Sequence, residues 1–307
     1  MKQFIIVCSL ALAGWISSTL YAQGGTVLNP DDKPRDGYYD KIHYPNRRVV
    51  PYPYLREADV MYNRRIWRKI DMREKINQPL YYPTVPTGLR KNLITIMQEA
   101  VCGVLNPVEN TYTKSPEVTA YDAMSGAGFS DDFNIPYTVD QVRQIGNGDP
   151  DTVIIYDSNP PYDSIGVKVI PRSLDPTTIT SFMLKEDWYF DRNRSVMEPR
   201  ILGIAPRRLI RDPNTDEVRG TQTMYWVYFP ELRKVLIHEE VYNPYNFGAR
   251  ITYDDLFMKR QFNSLIIKVD NNYDREIADY TKGIDALLEA ENIKDILFKF
   301  EHDVWEQ

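Results

Sequence analysis

From Phe182 to Phe190 the chain alternates: Phe182, Leu184, Trp188 and Phe190 interleave with Met183, Lys185, Asp187 and Tyr189. A period of two fits a strand with one buried face and does not fit a helix. Similar segments lie on both sides of it. Residues 153–156 (VIIY) and 167–170 (VKVI) flank a turn at Asn159-Pro160-Pro161. Asp191-Arg192-Asn193-Arg194 turns the chain into a segment running from Val196 to Ala205. Pro213-Asn214-Thr215-Asp216 turns it again ahead of the aromatic segment 223–229, and Pro230-Glu231-Leu232-Arg233 leads into 235–238. Short connections between successive strands predict an antiparallel meander of four or five strands.

Helical patterns lie before and after this block. Residues 56–83 read READVMYNRRIWRKIDMREKINQPLYYP, with Val60, Met61, Ile66, Trp67 and Ile70 set among six basic residues from Arg56 to Arg73. That spacing predicts an amphipathic helix, stopped at Asn77-Gln78-Pro79 and followed by an extended Leu80-Tyr81-Tyr82-Pro83. A second helix is expected from Gly88 to about Val104, capped by Thr87. Residues 105–150 are loop-rich, with one short helix from Thr138 to Ile145. After the loop at Asn243-Pro244, Thr252 caps a helix to about Ile267, Asp274 starts a second to Ala290, and Asn292 starts a third ending near Trp305. Helices and strands in separate blocks give the α+β class: an antiparallel meander flanked by an N-terminal helical pair and a C-terminal helical block.

The first 22 residues read as a secretory signal peptide, with Lys2 in the n-region, an apolar run from Phe4 to Ile16, and Leu20-Tyr21-Ala22 before the cleavage point. Cys8 lies inside the apolar run, so the exported chain is expected not to be lipidated. Cleavage leaves Cys102 as the one cysteine, which excludes an intramolecular disulfide; on an apolar helical pattern it reads as a small buried hydrophobe. Residues 23–54 are rich in Pro, Gly, Asp and Tyr and form an extended arm, either a disordered leader or a segment lying on a neighbouring subunit. One α+β domain then fills 55–307. A net charge of -6 argues against nucleic acid as a partner.

Catalytic signatures are missing from the sequence. There is no GxSxG elbow, phosphate-binding glycine loop or dinucleotide fingerprint, and none of His43, His238 and His302 has a second histidine at ligand spacing. His238-Glu239-Glu240 reads as a strand end. Asp212-Pro213-Asn214-Thr215-Asp216 and Asp270-Asn271-Asn272-Tyr273-Asp274 space oxygens as a calcium loop begins, but the second has Arg275 where the sixth-position glycine belongs and Thr281 where the glutamate belongs. No catalytic residue, cofactor or metal is expected.

What remains is binding. Arginines and aromatics dominate interface energetics, and 22 tyrosines supply amphipathic contact surface. Arg64, Arg65, Arg68, Trp67, Tyr81 and Tyr82 in the basic stretch are candidate partner-binding residues, the arginines pairing with carboxylates across a subunit boundary. Trp305 at a free helix end is another. Most of the apolar residues of the terminal block, Ile284 to Phe300, are expected in the core. A periplasmic glycan-binding protein or hydrolase is the competing class, kept open by the aromatic content.

READVMYNRRIWRKIDMREKINQPLYYP, together with Asp254-Asp255-Leu256-Phe257 through Gln261-Phe262 and the ending LFKFEHDVWE, resembles the gliding-motility family GldN, called PorN in non-gliding relatives. The resemblance runs from about residue 50 to the C-terminus. It implies a structural component of the type IX protein secretion system, held in the periplasm at the inner face of the outer membrane. It further implies a ring built by self-association with an outer-membrane lipoprotein of the GldK/PorK type, touching a shaft protein of the GldM/PorM type.

Overall fold

The frame of the molecule is one antiparallel sheet in which the basic stretch itself is an inner strand, next to one edge. The computed structural model describes residues 46–305 except 88–89, 107–110, 126–127, 130–131, 148–150, 157–163, 171–173, 213–216, 244–245 and 247. The chain divides into units Met1–Asn46 and Arg47–Gln307, and all described residues but Asn46 belong to the second. The expected signal peptide and the arm up to residue 45, with His43, lie outside the described residues.

Strand β1 (Val60–Asp71) replaces the helix expected from Arg56 to about Asn77, and Leu80 and Tyr81, expected to be extended, lie instead in the four-residue turn α1 (Gln78–Tyr81); two 3-10 turns are the other helical residues there. The reason is visible in its burial: Ile66, Trp67 and Arg68 are consecutive and all buried. Both faces of the strand are covered at its centre, so the alternation that marks a half-exposed strand is lost. Helix α2 (Leu93–Cys102) follows, capped by Asn92, whose side chain accepts from the Thr95 amide at 2.9 Å; Thr87 is not the cap. Gly103 ends it at φ 81°, where a Cβ would meet the Lys114 carbonyl oxygen at 2.0 Å. Strand β2 (Ala120–Tyr121) and helix α3 (Val139–Asn147) break the loop-rich region.

The hairpin β3 (Asp151–Tyr156) and β4 (Ser164–Ile170) stands apart as its own ladder. The two longest strands, β5 (Ile179–Asp191) and β6 (Val196–Arg211), pair along their length, and β7 (Val218–Thr223) pairs with β6. Strand β8 (Trp226–Tyr228) is short because the chain turns directly into helix α4 (Phe229–Leu236). The turn expected at Pro230 is therefore helix, and the strand expected at 235–238 is the end of that helix and the turn after it: Pro230 occupies the first helical turn, where its missing N–H costs nothing.

Thr252 caps helix α5 (Tyr253–Met258) through a capping box with Asp255, but the helix ends early and residues 265–269 form strand β9 (Leu265–Val269). The helix expected from Asp274 to Ala290 and the one expected from Asn292 are instead α6 (Ile277–Tyr280) and a single 22-residue helix α7 (Ile284–Trp305), separated at Gly283 with φ 61°. The sheet order is β9-β1-β5-β6-β8-β2, all antiparallel. The fold is α+β, as expected, with the supposed N-terminal helical pair corrected to one strand and one helix.

Residues 47–54 carry no helix or strand, yet they are held on the body. Arg47 donates to both oxygens of Asp255, at 2.6 and 2.8 Å. The Tyr52 ring lies beneath the guanidinium groups of Arg200 and Arg233, and Arg200 Nη2 donates to the Pro53 carbonyl at 2.6 Å.

Candidate partner-binding surfaces

Alternation along β1 sends Ile66, Arg68 and Ile70 to one face and Arg65, Trp67 and Lys69 to the other. The first face carries two apolar clusters. One joins Ile70, Phe182 and Leu184 to α2, α4 and α5 through residues such as Met97, Phe229 and Phe257. The other joins Ile66, Phe190 and Ile266 to α7 through Ala290, Ile293 and Leu297. Glu186, opposite Ile66 in register, is wholly buried on the same strand as both.

A buried carboxylate requires full compensation. Arg260 donates Nη1 to Oε1 at 2.9 Å and Nη2 to Oε2 at 3.1 Å, and Trp188 Nε1 donates to Oε2 at 3.1 Å. Arg68 Nε stands 3.4 Å from Oε2, and Arg68 Nη1 donates to Ser264 Oγ at 3.1 Å. Both guanidinium groups lie over the Trp188 ring, at 5.6 and 5.5 Å. Burial lowers the pKa of Arg68, with Glu186 opposing that shift. This cluster ties β1, β5 and the α5–β9 connection together, and its arginines are committed inside the chain.

The predicted residues therefore separate. Arg68 serves Glu186. Arg65 forms a two-pronged pair with Asp187 on the neighbouring strand, at 2.7 and 2.9 Å. Trp67 is a core residue packed with Met183, Ala205 and Trp226 and flanked by the ammonium groups of Lys268 and Lys185, at 4.5 and 5.9 Å. Arg65 and Arg68 thus have acidic partners within the chain, because an inner strand of a sheet has cross-strand neighbours that a surface helix lacks. Arg64 is half-buried and makes no ion pair with a described residue. Tyr81 and Tyr82 pack edge to face at 4.9 Å; Tyr82 is exposed, and burial raises the Tyr81 pKa. Trp305 is the last residue of α7, and its side chain lies outside the described ones.

Sequence reasoning missed an exposed apolar helix face among the described residues. Helix α7 touches the sheet through a narrow seam of Ala286, Ala290, Ile293, Leu297 and Phe300, the last stacked on Tyr62 at 4.2 Å. Ile284, Leu287, Leu288, Ile296 and Phe298, expected mostly in the core, point away, with exposures of 75, 54, 63, 43 and 67 %. Steps of four and three residues along the seam, from 286 to 300, are the signal that would have assigned the faces.

The remaining candidates are structural. Gln98 Nε2 donates to Cys102 Sγ at 3.3 Å, and burial pushes the thiol up to about 12, far from a reactive thiolate. Burial raises the pKa of Glu239, which faces Lys91 at 4.0 Å. In the loop 270–274 the Asn271 side chain accepts from the Tyr273 and Arg275 amides, both at 3.1 Å, and Asp274 pairs with Lys268. Of the loop 212–216, residues 213–216 lie outside the described residues, and Asp212 pairs with Arg219. Among the described residues no three His, Cys, Asp or Glu side chains gather closely enough to hold a metal ion, and no helix is long and apolar enough to cross a membrane.

These features define an α+β protein whose polar clusters brace its own sheet and whose exposed apolar face is a helix. The sequence profile of the gliding motility associated protein GldN matches residues 55–306, and the chain belongs to that family. No curated protein matches the chain.

Proposed function

We propose that the chain is a structural subunit of the type IX protein secretion and gliding machinery. In this reading it sits in the periplasm, associates with copies of itself and with an outer-membrane lipoprotein of the GldK/PorK type into a ring, and meets a shaft protein of the GldM/PorM type. The observation that carries the reading is the family match across 55–306, nearly the whole of the chain beyond its N-terminal arm. The exposed apolar face of α7 supports it, since monomers rarely leave such a face uncovered. A subunit of this kind performs no turnover; its work is the free energy of contacts made by rigid surfaces.

Deletion of the coding sequence from the producing cell is the test. Cargo of the secretion system should then accumulate inside the cell envelope, and the full-length chain supplied in trans should restore export. Undisturbed export after deletion would remove the proposal.

A further inference from the structure

Ile284, Leu287, Leu288 and Phe298 recur at helical spacing on the face of α7 opposite its seam, with Glu291 and Asp295 on the same face. The helix carries six carboxylates, Asp285, Glu289, Glu291, Asp295, Glu301 and Asp303, against Lys294 and Lys299, a net charge of -4 with His302 neutral. Lys294 pairs with Glu291 at 2.9 Å and Lys299 stands one turn from Asp295, so the excess acid beside the apolar stripe is supplied by Asp285 and Asp303 at its edge together with Asp295.

Two occupants are disfavoured by that charge. A second copy would bring an identical acidic helix against this one, inside a chain whose net charge is itself -6. An anionic membrane surface attracts basic amphipathic helices, not acidic ones. We infer that the outer face of α7 docks a basic amphipathic segment of a different protein, its apolar residues at i, i+3 and i+4 seated on Leu287, Leu288 and Phe298 and its Lys or Arg side chains against Asp285 and Asp295. Helix-on-helix docking of this kind uses few anchors surrounded by complementary charge. The inference rests on the reading of the chain as a protein-docking subunit and adds the chemistry of one partner surface.

A photo-activated benzoylphenylalanine in place of Leu288, in the full-length chain and in the producing cell, tests it, with the same probe at the exposed Val218 of β7 as control. The expected product is a cross-link from position 288, absent at 218, to a segment of another protein whose sequence is basic and amphipathic. Asp295→Lys combined with Asp285→Lys should cut its yield at least about five-fold. A cross-link to a second copy, to lipid, to residues 23–45 of the same chain or to an acidic segment overturns the inference, as does no cross-link or an unchanged yield in the charge variant. Formation of the lipoprotein complex without a cross-link at 288 removes this inference alone. A cross-link to a basic segment of a protein outside the secretion machinery removes the proposed function alone.

Discussion

Arg260 leaves helix α5 in a left-handed backbone conformation, φ 52°, and from there donates to both carboxylate oxygens of Glu186 at 2.9 and 3.1 Å. The position after a helix end is ordinarily glycine, because only glycine takes that conformation without strain. Here the side chain is needed more than the relief: it neutralises a carboxylate with no exposure to water. Arg260→Ala should therefore destabilise the fold by about 3 kcal/mol, and Arg260→Gly should recover about 1 kcal/mol of that loss. Urea unfolding midpoints check both, and a glycine variant as stable as wild type would show that the ion pair contributes nothing.

Arg65 and Arg64 are neighbours in sequence with opposite expected behaviour. Arg65→Ala should lose about 0.5–1 kcal/mol, and a double-mutant cycle with Asp187→Ala should assign the loss to their pair. Arg64→Ala should stay within about 0.5 kcal/mol of wild type. Equal losses at the two positions would contradict the cross-strand pairing.

Helix α7 should divide by face. Leu297→Ala removes a core side chain and should cost about 2–4 kcal/mol, whereas Leu288→Gln on the outer face should change stability by less than about 0.5 kcal/mol. Thermal unfolding of the two variants side by side measures the difference. A large loss at Leu288 would mean that the face is covered within the chain.

The side-chain hydrogen bond from Arg73, opposed by partial burial, holds the Asp71 carboxyl down from 3.8 to about 2. A carboxylate with a depressed folded-state pKa contributes stability above its unfolded value and loses it as pH falls through the folded one. The stability gap between wild type and Asp71→Asn should be constant above about pH 5 and close as the pH falls from 4 to 2. Unfolding curves across that range check the sign, and a gap that widens on acidification would contradict it.

Cys102 should not react with a thiol reagent at pH 8 in the folded chain spanning 23–307, since its thiol is buried and pushed up to about 12. One equivalent should appear on unfolding. Rapid labelling of the native protein would place the thiol at the surface.

The strand at Phe182 to Phe190 was legible because bulky residues recur at every second position in its sequence, but the single buried face expected of it is corrected: from Ser181 to Glu186 every residue of β5 is buried, because both faces of the sheet are covered there. The β1 stretch was not: Ile66 and Trp67 face opposite sides, both covered, and adjacent buried residues imitate a helical stripe. Its arginines looked like surface cations because their acceptors, Glu186 and Asp187, lie about 120 residues further along and meet them only through strand register. The end of α5 was hidden because Arg260, not glycine, takes the left-handed position. Helix α4 was legible in principle from Pro230 and Glu231 in its first turn and Arg233 and Lys234 in its last, the asymmetry a helix prefers. Of the binding residues proposed from composition, Arg65, Trp67 and Arg68 have partners within the chain, and the exposed apolar face of α7 went unread because leucine in a helix is core by default.

The central claim is that this chain is an assembly subunit, and co-expression of residues 23–307 with the outer-membrane lipoprotein proposed as its partner, followed by sizing in mild detergent, tests it most directly. The account predicts that both proteins elute together in one particle many times the mass of the single chain, which is 35.9 kDa over its full 307 residues. Elution of the chain as a monomer in every fraction, with the lipoprotein elsewhere, would contradict it.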